Sequence, residues 1–391
     1  MKIGRRTLAV SNLDKVLYPG AGFTKAQVLD YYRRVAPLLL PHFRGRPVTL
    51  VRFPEGVFGE AFYEKDAPGY APPWIKTFPV PRGEGGVIHY ILINDVPTLM
   101  WVANLAALEL HPFLHRVPRL EVPTHIVFDL DPGEGVDLLA CGKVALLVRG
   151  VLTRLGLDCF PKVSGSKGIQ VYLPLNTPTT YESAGAFARA VAELLAKEHP
   201  RSIVSEMAKT LRTGKVFIDW SQNSQTKTTI GPYSLRARSA RPLVSMPVAW
   251  SELERAMRRR DADLLCFPPE GALSRIERHG DLFGPVLHLR QRLPNEFLPS
   301  LSPVSSKRLS AYTSKRDFRR TPEPGPIVVP RRSAQGSRRR FVVQKHAASH
   351  LHYDFRLELS DMLKSWAVPK GIPLNNRQQH TAFSTEDHPL E

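Results

Sequence analysis

The spacing of apolar and polar residues over the first part of the chain predicts helices and strands joined by short connections. After Thr24, a typical N-cap residue, the segment KAQVLDYYRRVAPLLL places apolar side chains at helical intervals. Comparable patterns predict further elements: helices over 136–155 and 181–198, strands over 89–96, 124–131 and 215–222, and a strand–turn–strand over 162–175. This mixed order is typical of an α/β or α+β domain.

Composition changes along the chain and predicts three segments. Residues 1–301 carry the alternating pattern and form one predicted domain. Between Ser305 and Lys345, twelve Lys and Arg residues stand against two acidic residues, so we interpret 302–338 as a flexible basic linker that contacts phosphates without reading sequence. A solvated spacer without function is the alternative for this stretch. Residues 339–391 begin a second, strand-rich unit.

The charge balance indicates a polyanionic partner. The 391 residues have a net charge of +18 and a pI near 10.0, and 42% of them are hydrophobic, as in a folded globular protein. Such an excess of Lys and Arg favours nucleic acid, although a basic protein without this partner stays open. The three cysteines never pair as CxxC, which argues against a disulfide framework or a zinc ribbon. The sequence shows no secretory signal or membrane span, and predicts a cytoplasmic, nucleoid-associated protein.

Three aspartates at strand ends predict a metal site. Asp129 and Asp131 close the apolar run THIVFDLD, and the two-residue period of a strand places both carboxylates on one face. Asp219 ends the second run VFIDW and is the natural third ligand. Oxygen ligands of this kind suit Mg²⁺ or Mn²⁺, and two such ions can activate a hydroxyl and stabilise a leaving pyrophosphate. A turn-capping pair is the alternative for Asp129 and Asp131.

Between these acids lies a Gly- and Ser-rich segment, KVSGSKG, at 162–168. Its backbone N–H groups and hydroxyls can hold phosphate oxygens in a tight turn, and Lys167 adds a positive charge. The spacing is not that of a Walker A loop, and an ordinary hairpin with an exposed lysine is the alternative. The order of the three features, DLD, then SGSKG, then an aspartate on a strand, favours phosphoryl chemistry.

This order resembles the archaeo-eukaryotic primase superfamily and, in detail, the polymerase domain of bacterial DNA ligase D. The likeness extends over most of the chain, in the segments SNLDKVLYP, FYEKDAP, LINDVPTLMWVANLAALELHP, FDLDPGEGVD, KVSGSKGIQVYLPL, DWSQN and LRARSARPLVSMPVAWSELE. It implies a two-lobed primase-polymerase fold with a mixed catalytic sheet. It also implies a nucleotidyltransferase that uses two divalent metal ions, Mn²⁺ or Mg²⁺, at Asp129, Asp131 and Asp219.

The resemblance assigns further residues to the substrates. It implies nucleotide contacts from His111, Ser164, Lys167, Gln222 and Arg236, a binding site for the 5′-phosphate of the downstream strand at Asn12, Lys15 and Lys25, and a template contact from the aromatic pair Phe62 and Tyr63. Cationic and hydroxyl donors converging on a polyanion make physical sense. Gln170 departs from the family, since many relatives have histidine there, which leaves one contact beside the phosphate or metal in question.

The C-terminal segment FVVQKHAASHLHYDFRLELSDMLKSWAVPKGIP resembles the 3′-phosphoesterase domain that accompanies ligase D polymerases. The resemblance implies metal ligation, with Mn²⁺ favoured, by His346, His352 and Asp354, and further site residues at Arg356, Lys370 and His388. His380 departs from the family's basic residue. The chain ends three residues after His388, so we expect a partial β-barrel-like fragment with no appreciable phosphoesterase activity.

Together these features predict a polymerase that adds NTPs or dNTPs at gaps or double-strand ends of DNA in non-homologous end joining. The expected partners are DNA, a Ku-type end-binding protein and a separate DNA ligase, because no KxDG ligase motif occurs in the sequence. Two alternatives stay open. One is a primase that starts chains de novo, and the other is a non-catalytic module that binds DNA ends.

Overall fold

The computed structural model describes residues 1–81, 85–297, 341–347, 351–359, 362–373, 378 and 380–385. The chain divides into two units, Met1–Leu298 and Pro299–Glu391. The predicted linker, 302–338, and His388 lie outside the described residues, so the three proposed segment boundaries stay predictions.

The first part of the first unit is built from short antiparallel strands. They are β1 (Lys2–Ile3), β2 (Arg6–Thr7), β3 (Val16–Tyr18), β4 (Phe23–Thr24), β5 (Pro47–Arg52), β6 (Phe62–Glu64), β7 (Thr77–Pro81), β8 (Val87–Leu92), β9 (Ala107–Pro112), β10 (His115–Arg116) and β11 (Arg119–Pro123). Strand β5 is the centre of a five-stranded sheet, in which it pairs with β6, β8 and β9, and β7 pairs with β8. The remaining strands pair as the hairpins β1–β2, β3–β4 and β10–β11.

Two helices of this part, α1 (Lys25–Phe43) and α2 (Val96–Asn104), pack against each other. The side chain of Thr24 accepts a hydrogen bond from the backbone N–H of Gln27, which confirms the predicted N-cap. The strand predicted over 89–96 is too long, because β8 ends at Leu92 and the side chain of Asp95 caps α2 instead. An aspartate just before an apolar run is as typical of a helix start as of a strand end.

The second sheet carries the predicted aspartates. Its strands are β12 (His125–Pro132), β13 (Phe160–Val163), β14 (Ile169–Pro174), β15 (Ile203–Val204) and β16 (Val216–Asp219), in the order β13-β14-β12-β16-β15. All neighbours are antiparallel except β15 and β16, which are parallel. The helices α3 (Leu138–Arg154) and α4 (Tyr181–Glu198) contact its central strand. The predicted mixed α/β fold is therefore confirmed.

The remaining strands and helices of the first unit follow the second sheet in the sequence. They are the hairpin strands β17 (Leu235–Arg236) and β18 (Leu243–Val244) and the helices α5 (Trp250–Arg259), α6 (Pro269–His279) and α7 (Gly284–His288). One large core joins the two sheets with α1 to α6, and a smaller cluster around Val127, Tyr172 and Phe283 lies apart from it. None of the helices among the described residues is long and apolar enough to cross a membrane.

The second unit contains a small antiparallel sheet in which each strand pairs with the next. Its strands are β19 (Phe341–Ala347), β20 (Leu351–Leu359), β21 (Met362–Val368) and β22 (Phe383–Ser384). Several apolar side chains of this sheet, among them Phe341 and Phe383, are exposed. The strand-rich character predicted for the C-terminal segment is confirmed.

Candidate active site

The candidate site is built on one row of residues that crosses four neighbouring strands. Asp129 on β12 lies opposite Gln170 on β14 and opposite Asp219 on β16, and Gln170 lies opposite Lys162 on β13. Directly opposed residues in antiparallel strands have their side chains on the same face. Asp131 follows two positions later on that face, so the sheet brings the three predicted carboxylates together.

The hydrophobic core fixes which face of β12 carries the carboxylates. Ile126, Phe128 and Leu130 alternate with them and are fully buried in the main core. The side chains of Asp129 and Asp131 therefore point to the opposite face, where both line a pocket of about 520 Å³. The period-2 pattern in the sequence thus predicted the local geometry correctly.

Repulsion between these carboxylates shapes the electrostatics of the pocket. Desolvation raises the pKa of Asp129 to about 7, with the negative charges of Asp131 and Asp219 adding to the effect, while a hydrogen bond from Gln170 opposes it. Desolvation and the charge of Asp219 also raise the pKa of Asp131. A bound cation would relieve this repulsion, because it favours the charged form of each carboxylate.

The carboxylate of Asp219 accepts three hydrogen bonds from the turn that follows β16. Its Oδ1 accepts from the backbone N–H of Ser221 at 2.9 Å and from its hydroxyl at 2.6 Å, and Oδ2 accepts from Gln222 at 3.1 Å. Within the described part of the chain, no group of three or more His, Cys, Asp or Glu side chains is assembled as a metal site. The donor set still fits hard divalent cations, since each carboxylate offers more lone pairs than these bonds use.

The pocket gathers the residues predicted to contact the nucleotide. Its walls include the two strand aspartates together with His111, Ser164, Lys167, Gln222 and Arg236, whereas Asp219 is not among the lining residues. Three residues of this lining have a buried polar atom without a protein hydrogen-bond partner, namely Gln170 Oε1, Gln222 Oε1 and Arg236 Nε. Such atoms need a ligand or water to complete their hydrogen bonds. Their roles in nucleotide binding stay predictions.

The segment SGSKG forms a tight turn between β13 and β14. The Ser164 hydroxyl accepts hydrogen bonds from the backbone N–H groups of Ser166 and Gly168, so its own proton remains available for a ligand. Gly165 has a φ of +74°, and a Cβ there would lie 2.7 Å from Cγ of Arg236. The turn therefore requires glycine at this position because Arg236 passes directly over it. Lys167 is exposed at the tip.

Glu109 is a site residue that the sequence reasoning missed. Its side chain is almost fully buried on β9, and its carboxylate contacts Arg236 Nη1 at 2.8 Å and His111 Nε2 at 2.9 Å. It also accepts the backbone N–H of Ala237 at 2.9 Å. Burial acts to raise the pKa of Glu109, but the hydrogen bond from His111 and the charge of Arg236 lower it to about 2. An acid inside the apolar run ALELHP was the available signal, since such a residue needs a partner.

Lys162 is the second missed residue. Its side chain is fully buried, and Nζ donates hydrogen bonds to the backbone oxygen of Ile230 at 3.1 Å and to Ser245 Oγ at 2.5 Å. Burial lowers the pKa of Lys162, while the negative charge of Asp129 acts in the opposite direction. Gln170, the departure from the family pattern, donates to Thr229 Oγ1 at 2.8 Å and lies between the lysine and the aspartate in the row. A lysine in a predicted strand was the signal here.

The residues predicted to bind a 5′-phosphate lie together at the start of α1. Lys25 is the first residue of the helix, its N–H donates to the backbone oxygen of Lys15, and the N–H of Lys15 donates to that of Asn12. Desolvation and the nearby charge of Lys15 lower the pKa of Lys25, which is the electrostatic signature of two cations held close. Lys15 also forms a 2.8 Å ion pair with Glu55, which an incoming phosphate would have to displace or share.

The aromatic pair predicted to contact the template is exposed. Phe62 and Tyr63 lie on β6 and expose 47% and 62% of their surface, so neither belongs to the core. The neighbouring Arg52 on β5 pairs with Glu64 at 2.7 Å and orders this edge of the sheet. Both rings are available for stacking on a base, and their role stays a prediction.

In the second unit, three of the predicted phosphoesterase residues alternate along β20. His352 Nε2 lies 3.5 Å from Asp354 Oδ1, and Arg356 Nη2 lies 3.5 Å from Asp354 Oδ2. The backbone of His346 on β19 pairs with that of His352, and Lys370 is exposed in the turn after β21. The His380 ring contacts the backbone oxygen of Gly371 through Nδ1 at 2.6 Å. Metal binding here stays a prediction.

Comparison with known proteins identifies families and relatives to which the chain is similar. A family model described as the LigD primase-polymerase domain matches residues 24–283, and one described as the DNA Ligase D 3′-phosphoesterase domain matches residues 344–391. The multifunctional non-homologous end joining protein LigD of Mycolicibacterium smegmatis is 41% identical over 389 residues, which cover 98% of this chain and 47% of that protein. The bifunctional LigD of Bacillus subtilis is 33% identical over 252 residues, covering 64% of this chain and 40% of that protein.

The chain thus spans about half the length of the curated relatives it matches. Among solved structures, the polymerase domain from Mycobacterium tuberculosis Ligase D in complex with DNA is similar, with a TM-score of 0.67 and 42% identity. The likeness covers 73% of this chain and 99% of that one. A shared fold and a family model that covers most of the first unit lead to one conclusion: the chain belongs to the LigD primase-polymerase family.

Proposed function

We propose that the chain is a DNA-directed nucleotidyltransferase of the primase-polymerase type that adds NTPs or dNTPs at gaps and double-strand ends. The observation that carries the proposal is one pocket in which Asp129 and Asp131 face the phosphate-binding groups of Ser164, Lys167 and Arg236. Carboxylates and cationic donors around one cavity are what transfer of a nucleotidyl group requires. The relatives' printed names support a setting in non-homologous end joining.

Two divalent cations, Mn²⁺ or Mg²⁺, held by Asp129, Asp131 and Asp219 would activate the primer 3′-hydroxyl and neutralise the leaving pyrophosphate. The protein's own groups hold the nucleotide. Arg236, kept in place by Glu109, presents its guanidinium to the triphosphate, and the exposed Lys167 adds a charge. Because these donors belong to strands and a tight turn, they need little rearrangement when the nucleotide binds.

The start of α1 favours gapped DNA as the substrate over de novo primer synthesis. Burial and, in addition, the charge of the nearby Lys15 lower the pKa of Lys25, and a 5′-phosphate bound between the two lysines would relieve their repulsion. The exposed rings of Phe62 and Tyr63 would stack on template bases. We also propose a Ku-type end-binding protein and a separate ligase as partners, with the protein acting in the cytoplasm at the nucleoid.

The test is extension of a gapped duplex with a 5′-phosphorylated downstream strand, in the presence of Mn²⁺ and labelled NTPs or dNTPs. Asp129→Ala and Asp219→Ala should each abolish extension and keep DNA binding, because the phosphates are held by basic residues. Asp158→Ala, which removes an exposed aspartate outside the pocket, is the matched control and should extend normally. Extension at wild-type rate by either active-site variant would refute the assignment.

The same assay separates the alternatives. A de novo primase would synthesise products on single-stranded template without a primer, at a rate comparable with gap extension. A non-catalytic end-binding module would bind the duplex and yield no product with any metal or nucleotide. The clustered carboxylates argue against the second alternative: burial, together with the charges of Asp131 and Asp219, raises the pKa of Asp129 to about 7, and a scaffold gains nothing from this.

A further inference from the structure

A second pocket of about 680 Å³ lies at the opposite end of β12 from the carboxylates. Four arginines line it: Arg116 and Arg119 on the β10–β11 hairpin, and Arg290 and Arg292 on the segment after α7. Thr124, just before β12, also lines it. Seven residues of strand separate Thr124 from Asp131, which is about 24 Å at the usual rise per residue. The two pockets are therefore separate.

Within the described part of the chain, the four guanidinium groups have no ion-pair or hydrogen-bond partner. Among the residues described, no carboxylate lies within 4.0 Å of any of them, and none donates a hydrogen bond to a protein acceptor. Arg116 Nε is buried without a hydrogen bond. Burial and the charge of Arg44 lower the pKa of Arg116. Clustering cations in this way costs electrostatic free energy unless an anion binds among them.

Hydrogen bonds hold the segment that carries Arg290 and Arg292 in place, and Arg116 and Arg119 lie on the paired strands β10 and β11. Asn176 Nδ2 donates to the backbone oxygens of Val286 and Leu289, and the Thr177 hydroxyl donates to the backbone oxygen of Gln291. The Gln291 amide donates to the backbone oxygens of Asp158 and Pro174, away from the pocket. Its neighbours Arg290 and Arg292 both line the pocket, as alternate positions of an extended segment do. The site is thus built before any ligand arrives.

The rest of the lining narrows the class of ligand. The hydroxyls of Thr124 and Thr177 and the amide nitrogen of Asn176 already donate to backbone oxygens inside the protein, so these side chains have no donor left for the edge of a base. The lining residues include no aromatic side chain on which an unpaired base could stack. The guanidinium groups are therefore the side-chain donors of this lining that remain for a ligand, and their forked donors match phosphate oxygens.

We propose that this arginine pocket binds the phosphate backbone of duplex DNA without reading its sequence. The site lies outside the polymerase pocket and does not depend on the carboxylates, so it goes beyond the proposed nucleotidyl transfer. It gives the chain a second DNA-binding site, at a distance from the DNA end that is extended. Arginines that contact only phosphates add affinity that falls with salt and is equal for all sequences.

The test measures affinity of the full chain for a labelled duplex of about 30 base pairs, from about 50 to 300 mM KCl, without metal or nucleotide. Arg290→Ala with Arg292→Ala should weaken binding roughly 30-fold at 150 mM and reduce the slope of log K against log salt by about two. Arg119→Ala, from the other segment, should reduce the slope by about one. All three arginines are at the surface, so folding should be preserved.

The matched control is Arg258→Ala with Arg259→Ala, which removes the same charge from exposed positions on α5 outside the pocket. It should leave the slope nearly unchanged. An equal loss in the control would show that only net charge matters and would overturn the proposal, as would an unchanged slope in the pocket variants. Loss of binding to a labelled polyglutamate peptide but not to DNA would also overturn it in favour of an acidic protein partner. Because no catalysis is measured, failure here leaves the proposed polymerase activity untouched.

Discussion

Replacing Glu109 by glutamine should lower the free energy of unfolding by about 3.5 kcal/mol at pH 7. The buried carboxylate holds Arg236 and His111, and its pKa is about 2 against an ordinary value of 4.5. A difference of about 2.5 pKa units at about 1.4 kcal/mol each gives this magnitude. Because the pKa is depressed in the fold, the contribution is complete above pH 4.5 and is lost as the pH falls towards 2.

The measurement is urea unfolding followed by tryptophan fluorescence at pH 7 and near pH 3, since four of the five tryptophans belong to Met1–Leu298. The gap between wild type and Glu109→Gln should shrink to about 1 kcal/mol near pH 3. Glu193→Gln is the control, because Glu193 forms an exposed pair with Arg189 and should cost under about 1 kcal/mol. A gap that does not change with pH, or that equals the control, would refute the reasoning.

Three further variants probe the polymerase unit. Asp129→Asn should raise the melting temperature of the metal-free protein at pH 8, because the pKa of Asp129, raised to about 7, means that its ionisation opposes folding as the pH rises. In a thermal-shift assay Mn²⁺ should stabilise the wild type and should not stabilise Asp129→Asn; an equal Mn²⁺ shift in both would contradict the metal assignment. Lys15→Ala with Lys25→Ala should remove the preference for gapped DNA whose downstream strand carries a 5′-phosphate over gapped DNA with a 5′-hydroxyl, measured as binding affinity at low and high salt. A preference retained by the double variant would place the 5′-phosphate site elsewhere. Lys162→Met should lower the free energy of unfolding by about 1–3 kcal/mol, because the buried backbone oxygen of Ile230 loses its donor; unchanged urea unfolding would contradict this.

Local patterns in the sequence predicted much of the fold. The helix over 181–198 has the predicted bounds, and the period-2 run that ends at Asp131 placed two carboxylates on one face. The prediction failed over 89–96, where Asp95 begins a helix. A short apolar run with a polar end is compatible with either element, and the tertiary context decides between them.

The patterns in the sequence could not predict contacts between distant segments. Glu109 contacts Arg236, which lies more than one hundred residues later in the sequence. Lys162 lies in the same row as Asp129 only because β13 pairs with β14, and β14 with β12, in the observed register. The family resemblance supplied Arg236 but not the acid that holds it. Register depends on which strands become neighbours, and the pattern within a single strand does not contain that information.

The row of Lys162, Gln170, Asp129 and Asp219 across the second sheet also links the register of the strands to the position of the carboxylates. Because side chains alternate along a strand, a slip of one residue in β12 would turn Leu130 out of the core and push Asp129 and Asp131 into it. Exposing a buried leucine costs about 2 kcal/mol, and burying unpaired carboxylates costs several more. The packing of the hydrophobic core therefore also fixes the face on which Asp129 and Asp131 lie, because a register that buries Leu130 places both carboxylates on the opposite face.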